Sequence, residues 1–214
     1  DDILALTSAV GTDSQVLCET ESLTSIIYEL SGGATNATVT GLPTGVTPAV
    51  TSNQLIISGT PSAGITATQT YTYEVTTSGS CESAILQGTI TVNPDDALAL
   101  ISGNEMQSLC DTEDLVDIVY EFSEGATSAT VSGLPAGIGF NVNVPNGTVT
   151  ISGTPPAATG TTQVYPYIVT TSGACDDASL SGTITIEALL SVSAGGNGAI
   201  CETGYLLNSA TASN

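Results

Sequence analysis

Five cysteines and 21 acidic residues are the side chains here with the most chemistry to offer, because the chain has no Lys, no Arg and no His. Its formal charge is -21. A Ser or Cys nucleophile needs a His or Lys base beside it, zinc sites usually draw on His or paired Cys, and phosphate-cradling loops of the P-loop type need their Lys. None of these can be built. Nucleic acid and anionic membrane surfaces are also excluded as partners, since both are bound through Lys and Arg. What remains is disulfide formation by the cysteines and oxygen ligation or proton transfer by the carboxylates.

The acidic residues gather near the cysteines. Glu19, Glu21 and Glu82 flank Cys18 and Cys81, and Asp111, Glu113, Asp114, Asp176 and Asp177 flank Cys110 and Cys175. Two readings stand side by side. One is a solvated acidic surface that keeps an apolar-rich chain soluble. The other is a set of calcium sites, because hard cations want several carboxylate and carbonyl oxygens. The strict Asp-x-Asp-x-Asp-Gly loop is missing. No cofactor is required on either reading, and calcium is the one the composition admits. A carboxylate pair can also serve as acid and base in glycoside hydrolysis. That use suits the chain poorly, because the same pairs recur in each repeat, and the chain is expected not to be an enzyme.

The repeat organises everything else. Leu17-Cys18-Glu19-Thr20-Glu21 returns as Leu109-Cys110-Asp111-Thr112-Glu113 and again as Ile200-Cys201-Glu202-Thr203, at spacings of 92 and 91 residues. Between these marks Gly41-Leu42-Pro43 matches Gly133-Leu134-Pro135, and Ile57-Ser58-Gly59-Thr60-Pro61 matches Ile151-Ser152-Gly153-Thr154-Pro155. Tyr71 and Tyr73 match Tyr165 and Tyr167, and Asp1-Asp2 is echoed by Asp95-Asp96. The phase gives a first module over 1–94, a second over 95–187 and the start of an incomplete third at 188–214, so the segment reads as a window onto a longer array.

Each complete module holds two cysteines, at separations of 63 and 65 residues. Repeat phase therefore predicts bonds Cys18–Cys81 and Cys110–Cys175, with Cys201 unpaired, against the alternative of free buried thiols. Such bonds would each stabilise a module by up to about 4 kcal/mol by closing a long loop, and would tie one end of it. They place the chain in an oxidising, extracellular or cell-surface setting. No apolar run approaches the roughly 20 residues needed to span a bilayer.

Alternation with period two runs throughout, as in Tyr71, Tyr73 and Val75 against Thr70, Thr72 and Glu74. Turn residues punctuate it at Ser31-Gly32-Gly33, Leu42-Pro43-Thr44-Gly45 and Ser78-Gly79. The expected fold is all-β: tandem immunoglobulin-like antiparallel β-sandwich modules, about seven strands each. The Tyr pairs fit core packing, with a sugar platform as the alternative.

Gly-Leu-Pro-x-Gly, Ile-Ser-Gly-Thr-Pro, Tyr-x-Tyr-x-Val-Thr-Thr-Ser-Gly-x-Cys and Gly-Thr-Ile-Thr together resemble the Ig-like or cadherin-like repeats of large bacterial surface adhesins, of the Bacteroidetes type. The resemblance covers essentially the whole chain. It implies an exported structural or adhesive stalk or fibre, with neighbouring repeats, self-association or a surface glycan or protein ligand as partners. It implies no catalytic residue. Without Lys, the Lys-Asn isopeptide bonds of some other adhesins cannot form.

Overall fold

The alternating segments become strands whose apolar side turns inward, which is why the period-two pattern and the burial pattern coincide. A computed structural model describes residues 1–110, 112–156 and 160–188. The first repeat forms β1 (Asp2–Leu6), β2 (Ser14–Cys18), β3 (Ile26–Gly32), β4 (Ala34–Thr40), β5 (Val46–Thr51), β6 (Gln54–Gly59), β7 (Gln69–Gly79) and β8 (Ile85–Asn93). They build two four-stranded sheets, ordered β1-β3-β6-β5 and β2-β8-β7-β4. Ile26, Tyr28, Leu55 and Ile57 from the first sheet meet Tyr73, Val75, Ile90 and Val92 from the second, all at most 1% exposed.

The second repeat gives β9 (Asp96–Ser102), β10 (Met106–Cys110), β11 (Ile118–Glu124), β12 (Ala126–Ser132), β13 (Ile138–Asn143), β14 (Thr148–Gly153), β15 (Gln163–Gly173) and β16 (Ser179–Glu187). Its sheets are β13-β14-β11-β9 and β10-β16-β15-β12. Ile118, Tyr120, Val149, Ile151, Tyr167, Val169 and Ile184 are fully buried between them.

Among the described residues each repeat thus has eight strands where about seven were expected, because the opening strand splits. β1 pairs antiparallel with β3, the chain turns at residues 7–13, and β2 joins the other sheet parallel to β8. That parallel pairing, repeated by β10 and β16, is the departure from a purely antiparallel sandwich.

The signature motifs of the sequence are structural. β5 and β6 meet at Val46↔Gly59, and a Cβ on Gly45 or Gly59 would lie 2.1 or 2.3 Å from the facing backbone carbonyl, with both residues at positive φ. Only glycine allows the Gly-Leu-Pro-x-Gly and Ile-Ser-Gly-Thr-Pro segments to approach so closely.

The chain forms two compact units. One comprises residues 1–98 with 122–128 and 171–178, and the other the remaining described residues. The segments 122–128 and 171–178 belong to the second module by repeat phase, so compactness and phase divide the chain differently. The expected third-module start at 188–214 lies, after residue 188, outside the described residues, as does Cys201, which was expected to be unpaired.

Candidate functional site

Cys18 and Cys110 each sit at the end of a strand in a locked turn. The backbone N–H of Cys18 donates to Glu21 Oε2 at 3.0 Å, while the N–H of Glu21 donates back to the Cys18 carbonyl at 3.2 Å. Cys110 and Glu113 repeat the exchange at 2.9 and 3.3 Å. Thr20 and Thr112 take φ of 64° and 61° within these turns, a conformation β-branched residues rarely adopt. Leu-Cys-x-Thr-Glu is therefore a turn that fixes a cysteine, with Glu21 and Glu113 as its internal acceptors rather than as free ligands.

The fixed cysteine does not bond within its own repeat. Cys18 is joined to Cys175, with Cα atoms 5.6 Å apart and a sequence separation of 157. This corrects the expected pairs Cys18–Cys81 and Cys110–Cys175. Cys81 is an exposed free thiol, and Cys110 is disulfide-bonded, though not to Cys175. Strand register supplies the reason. Cys18 pairs with Asn93 at the far end of β8, whereas Cys81 precedes Ile85 at its start. A nine-residue strand at about 3.3 Å per residue holds the two apart by roughly 26 Å, when a disulfide needs Cα atoms within about 7 Å.

Around the bond, all inside the first compact unit, Cys175 Sγ lies 3.8 Å from the Asn93 carbonyl and Cys18 Sγ lies 3.7 Å from that of Ala174. Glu19, 7% exposed, anchors the junction. Its Oε2 accepts from the N–H groups of Gly64 and Ile65 at 2.5 and 3.2 Å, and its Oε1 from that of Asp95 at 3.3 Å.

The other predicted acidic residues are dispersed. Glu82, Asp176 and Asp177 are exposed, the first two offering backbone carbonyls to the N–H groups of Asp2 and Asp96. Asp114 accepts a hydrogen bond from Thr154, and Asp111 lies outside the described residues. Among the described residues, no three acidic or cysteine side chains converge as a metal site.

Two carboxylates that sequence reading did not single out by burial are more unusual. Asp2 and Asp96 are 5% and 9% exposed, and neither oxygen of either has a hydrogen-bond partner. Burial lifts the Asp96 carboxyl above the ordinary carboxylate value of 3.8; the neighbouring Thr171 hydroxyl, which itself donates to the Ala178 carbonyl at 3.2 Å, opposes this through its dipole, and the charges of Asp177 and Asp95 add to it. The echo of Asp1-Asp2 in Asp95-Asp96 was the available signal.

The Tyr pairs divide. Tyr73 and Tyr167 are fully buried and hydrogen-bonded to Tyr28 and Tyr120, each at 2.9 Å. Tyr71 is half-buried on a pocket of about 200 Å³ with Pro43, Pro61, Ile65 and Val92, and its hydroxyl donates to Gln69 at 2.7 Å.

No family model matches the chain, and no curated protein matches it. Among solved structures, an I-band fragment of titin aligns over 81% of this chain at 11% identity and a TM-score of 0.52, the chain spanning 62% of that fragment's length. A protocadherin gamma B7 fragment of extracellular cadherin domains aligns over 88% of this chain and 50% of its own length at 12% identity and a TM-score of 0.46. The titin likeness establishes the fold alone: immunoglobulin-like β-sandwich modules. Among the described residues no helix is long and apolar enough to cross a membrane.

Proposed function

We propose that the chain is a load-bearing stalk segment of an extracellular tandem-repeat adhesin or fibre and carries out no catalysis. The Cys18–Cys175 bond is the observation that supports this most directly. Tension along the chain entering at Cys18 leaves through the sulfur–sulfur bond at Cys175, so the 157 residues of sequence separation between them are not extended. Buried tyrosines and a Thr-rich exterior, with Thr70 and Thr91 hydroxyls 3.0 Å apart across neighbouring strands, suit a spacer better than a sugar platform.

The test is to pull single molecules by their ends with and without dithiothreitol. Reduction is expected to add roughly 550 Å of contour length, from about 3.5 Å per extended residue over the 157 residues of the loop. An extension indifferent to reductant would remove the basis for a load-bearing role.

Calcium binding by the modules is a second reading, favoured by the buried, unpartnered carboxylates of Asp2 and Asp96. Asp96 gives it a signed test. Because its folded pKa is raised, its contribution to stability is fully present below the ordinary carboxylate value and is lost as pH rises through the folded one. In chelator, Asp96→Asn should therefore melt higher than the parent at pH 7, with the gap closing on acidification. If calcium is the intended partner, it should raise the parent's melting temperature, by about 2.7 kcal/mol of stability at a hundredfold excess over Kd, and do less for Asp96→Asn. Sodium chloride at matched ionic strength reproducing the calcium shift would mean screening without a site. Magnesium should do less than calcium, because it gives up its waters reluctantly.

A further inference from the structure

The backbone hydrogen bonds around Cys81 match those around Cys175. Asp2 N–H donates to the Glu82 carbonyl at 2.9 Å as Asp96 N–H does to that of Asp176 at 3.0 Å. Thr77 N–H donates to the Ala84 carbonyl at 3.0 Å as Thr171 N–H does to that of Ala178 at 2.9 Å. Gly33 and Gly125 occupy the same place, and a Cβ on either would lie 2.9 or 3.0 Å from the buried Asp2 or Asp96 carboxylate. The same point beside Gly33 is 2.5 Å from Cys81 Sγ, so the thiol and an unpartnered, 5%-exposed aspartate face one small space. Of these two matched cradles, the one at Cys175 receives the cysteine of a Leu-Cys-Glu-Thr turn from the preceding repeat. The cradle at Cys81 holds an exposed thiol.

We propose that Cys81 is the acceptor for the cysteine of a Leu-Cys-Glu-Thr turn in a repeat joined ahead of the first, as Cys175 is for Cys18 of the first repeat. The proposal rests on the array reading and deepens it, by making the tie between repeats covalent and serial. The step is a two-electron oxidation by a small disulfide. One thiolate attacks the oxidant and releases one small thiol; the other then attacks the mixed disulfide and releases the second, leaving one new sulfur–sulfur bond and two reduced small thiols. The turn supplies more than sulfur, since the residue after its cysteine, Glu19 in this chain, also accepts from the Asp95 N–H across the junction.

The test adds a copy of residues 1–94 ahead of Asp1 in the full chain, refolded with oxidised glutathione and mapped by non-reducing peptide analysis. A bond between the added copy's first cysteine and Cys81, with loss of Cys81 alkylation by iodoacetamide, is the expected result. Cys81 left alkylatable while Cys18–Cys175 is intact, or bonded to the first cysteine of its own repeat, overturns the proposal.

A second variant guards against misfolding of the duplication. Cys175→Ser frees Cys18 in the original chain and should give covalent oligomers linked Cys18 to Cys81 between molecules, lost in Cys81→Ser/Cys175→Ser. Monomers with an internal Cys18–Cys81 bond, or dimers joined Cys81 to Cys81, would contradict it. Failure of these bonds with the force response unchanged refutes the serial tie and leaves the stalk reading standing.

Discussion

Replacing Cys18 and Cys175 together by serine is expected to lower stability by up to about 5 kcal/mol, which in a chain of this size is a fall in melting temperature of roughly 10–20 °C. The size follows from the loop: a separation of 157 residues is long, and the entropy a cross-link removes from the unfolded chain grows with the logarithm of loop length. Cys81→Ser should be nearly silent, within about 0.5 kcal/mol, since Cys81 is exposed and unbonded. Differential scanning calorimetry of the two variants separates the pairing seen here from pairing within repeats, under which Cys81→Ser would be as damaging as Cys18→Ser. Equal losses for the two would refute the inter-repeat bond.

The second large effect lies in the core. Tyr73 donates to the Asp13 carbonyl at 3.3 Å, so the 2.9 Å contact between the two phenols has Tyr28 donating to Tyr73. The relay is directional, and its two ends are not equivalent. Tyr73→Phe leaves the Tyr28 hydroxyl buried with no acceptor and should cost about 1–3 kcal/mol. Tyr28→Phe leaves Tyr73 still donating to Asp13 and should cost about 1 kcal/mol or less. Tyr73→Ala adds a cavity and should cost about 3–5 kcal/mol. Tyr167 and Tyr120 repeat the relay, ending on the Glu105 carbonyl at 3.2 Å, and should show the same order. Urea titrations of the four Phe variants measure it; a larger loss at Tyr28 than at Tyr73 would reverse the direction assigned to the bond.

Burial raises the pKa of both phenols of each pair above the ordinary tyrosine value. The relay therefore stays protonated through the neutral range and acts as a packing device. Gly88 makes room for it, since a Cβ there would lie 2.2 Å from the Tyr73 hydroxyl, and Gly182 does the same for Tyr167 at 2.3 Å. The Gly-Thr-Ile-Thr motif is thus legible as sequence, but the reason for its glycine is a hydroxyl from another strand.

The sandwich itself was legible because strand formation and burial share one period. Tyr73, Val75, Ile90 and Val92 alternate with threonines and Glu74 in the chain, and a sheet with one face inward must bury alternate residues. The repeat was equally plain, and the lack of Lys, Arg and His argued against nucleic-acid, P-loop and His-dependent chemistry. The splitting of the opening strand was not legible, because Ile3-Leu4-Ala5-Leu6 and Val16-Leu17 carry the same apolar signal whichever sheet they join.

The cysteines show where sequence stops. Phase marks Cys18 and Cys81 as members of one repeat, and composition says that bonds should form, but pairing depends on which strand ends are neighbours in space. That was set by the parallel register of β2 on β8, which carries Cys18 to Asn93, and by the chain reversal that brings Cys175 to the same place. The acidic residues follow the same rule. Sequence put Glu19, Glu21, Glu113 and Asp114 close to cysteines; the structure buries Glu19 against backbone N–H groups, leaves Glu21 and Glu113 exposed in their local turns, and leaves Asp2 and Asp96 buried without hydrogen-bond partners. Period and composition act over a few residues and so are written in the chain, whereas the disulfide, at a sequence separation of 157, and the burial of Glu19, Asp2 and Asp96 depend on contacts between residues far apart in sequence, which only the folded register brings within bonding distance.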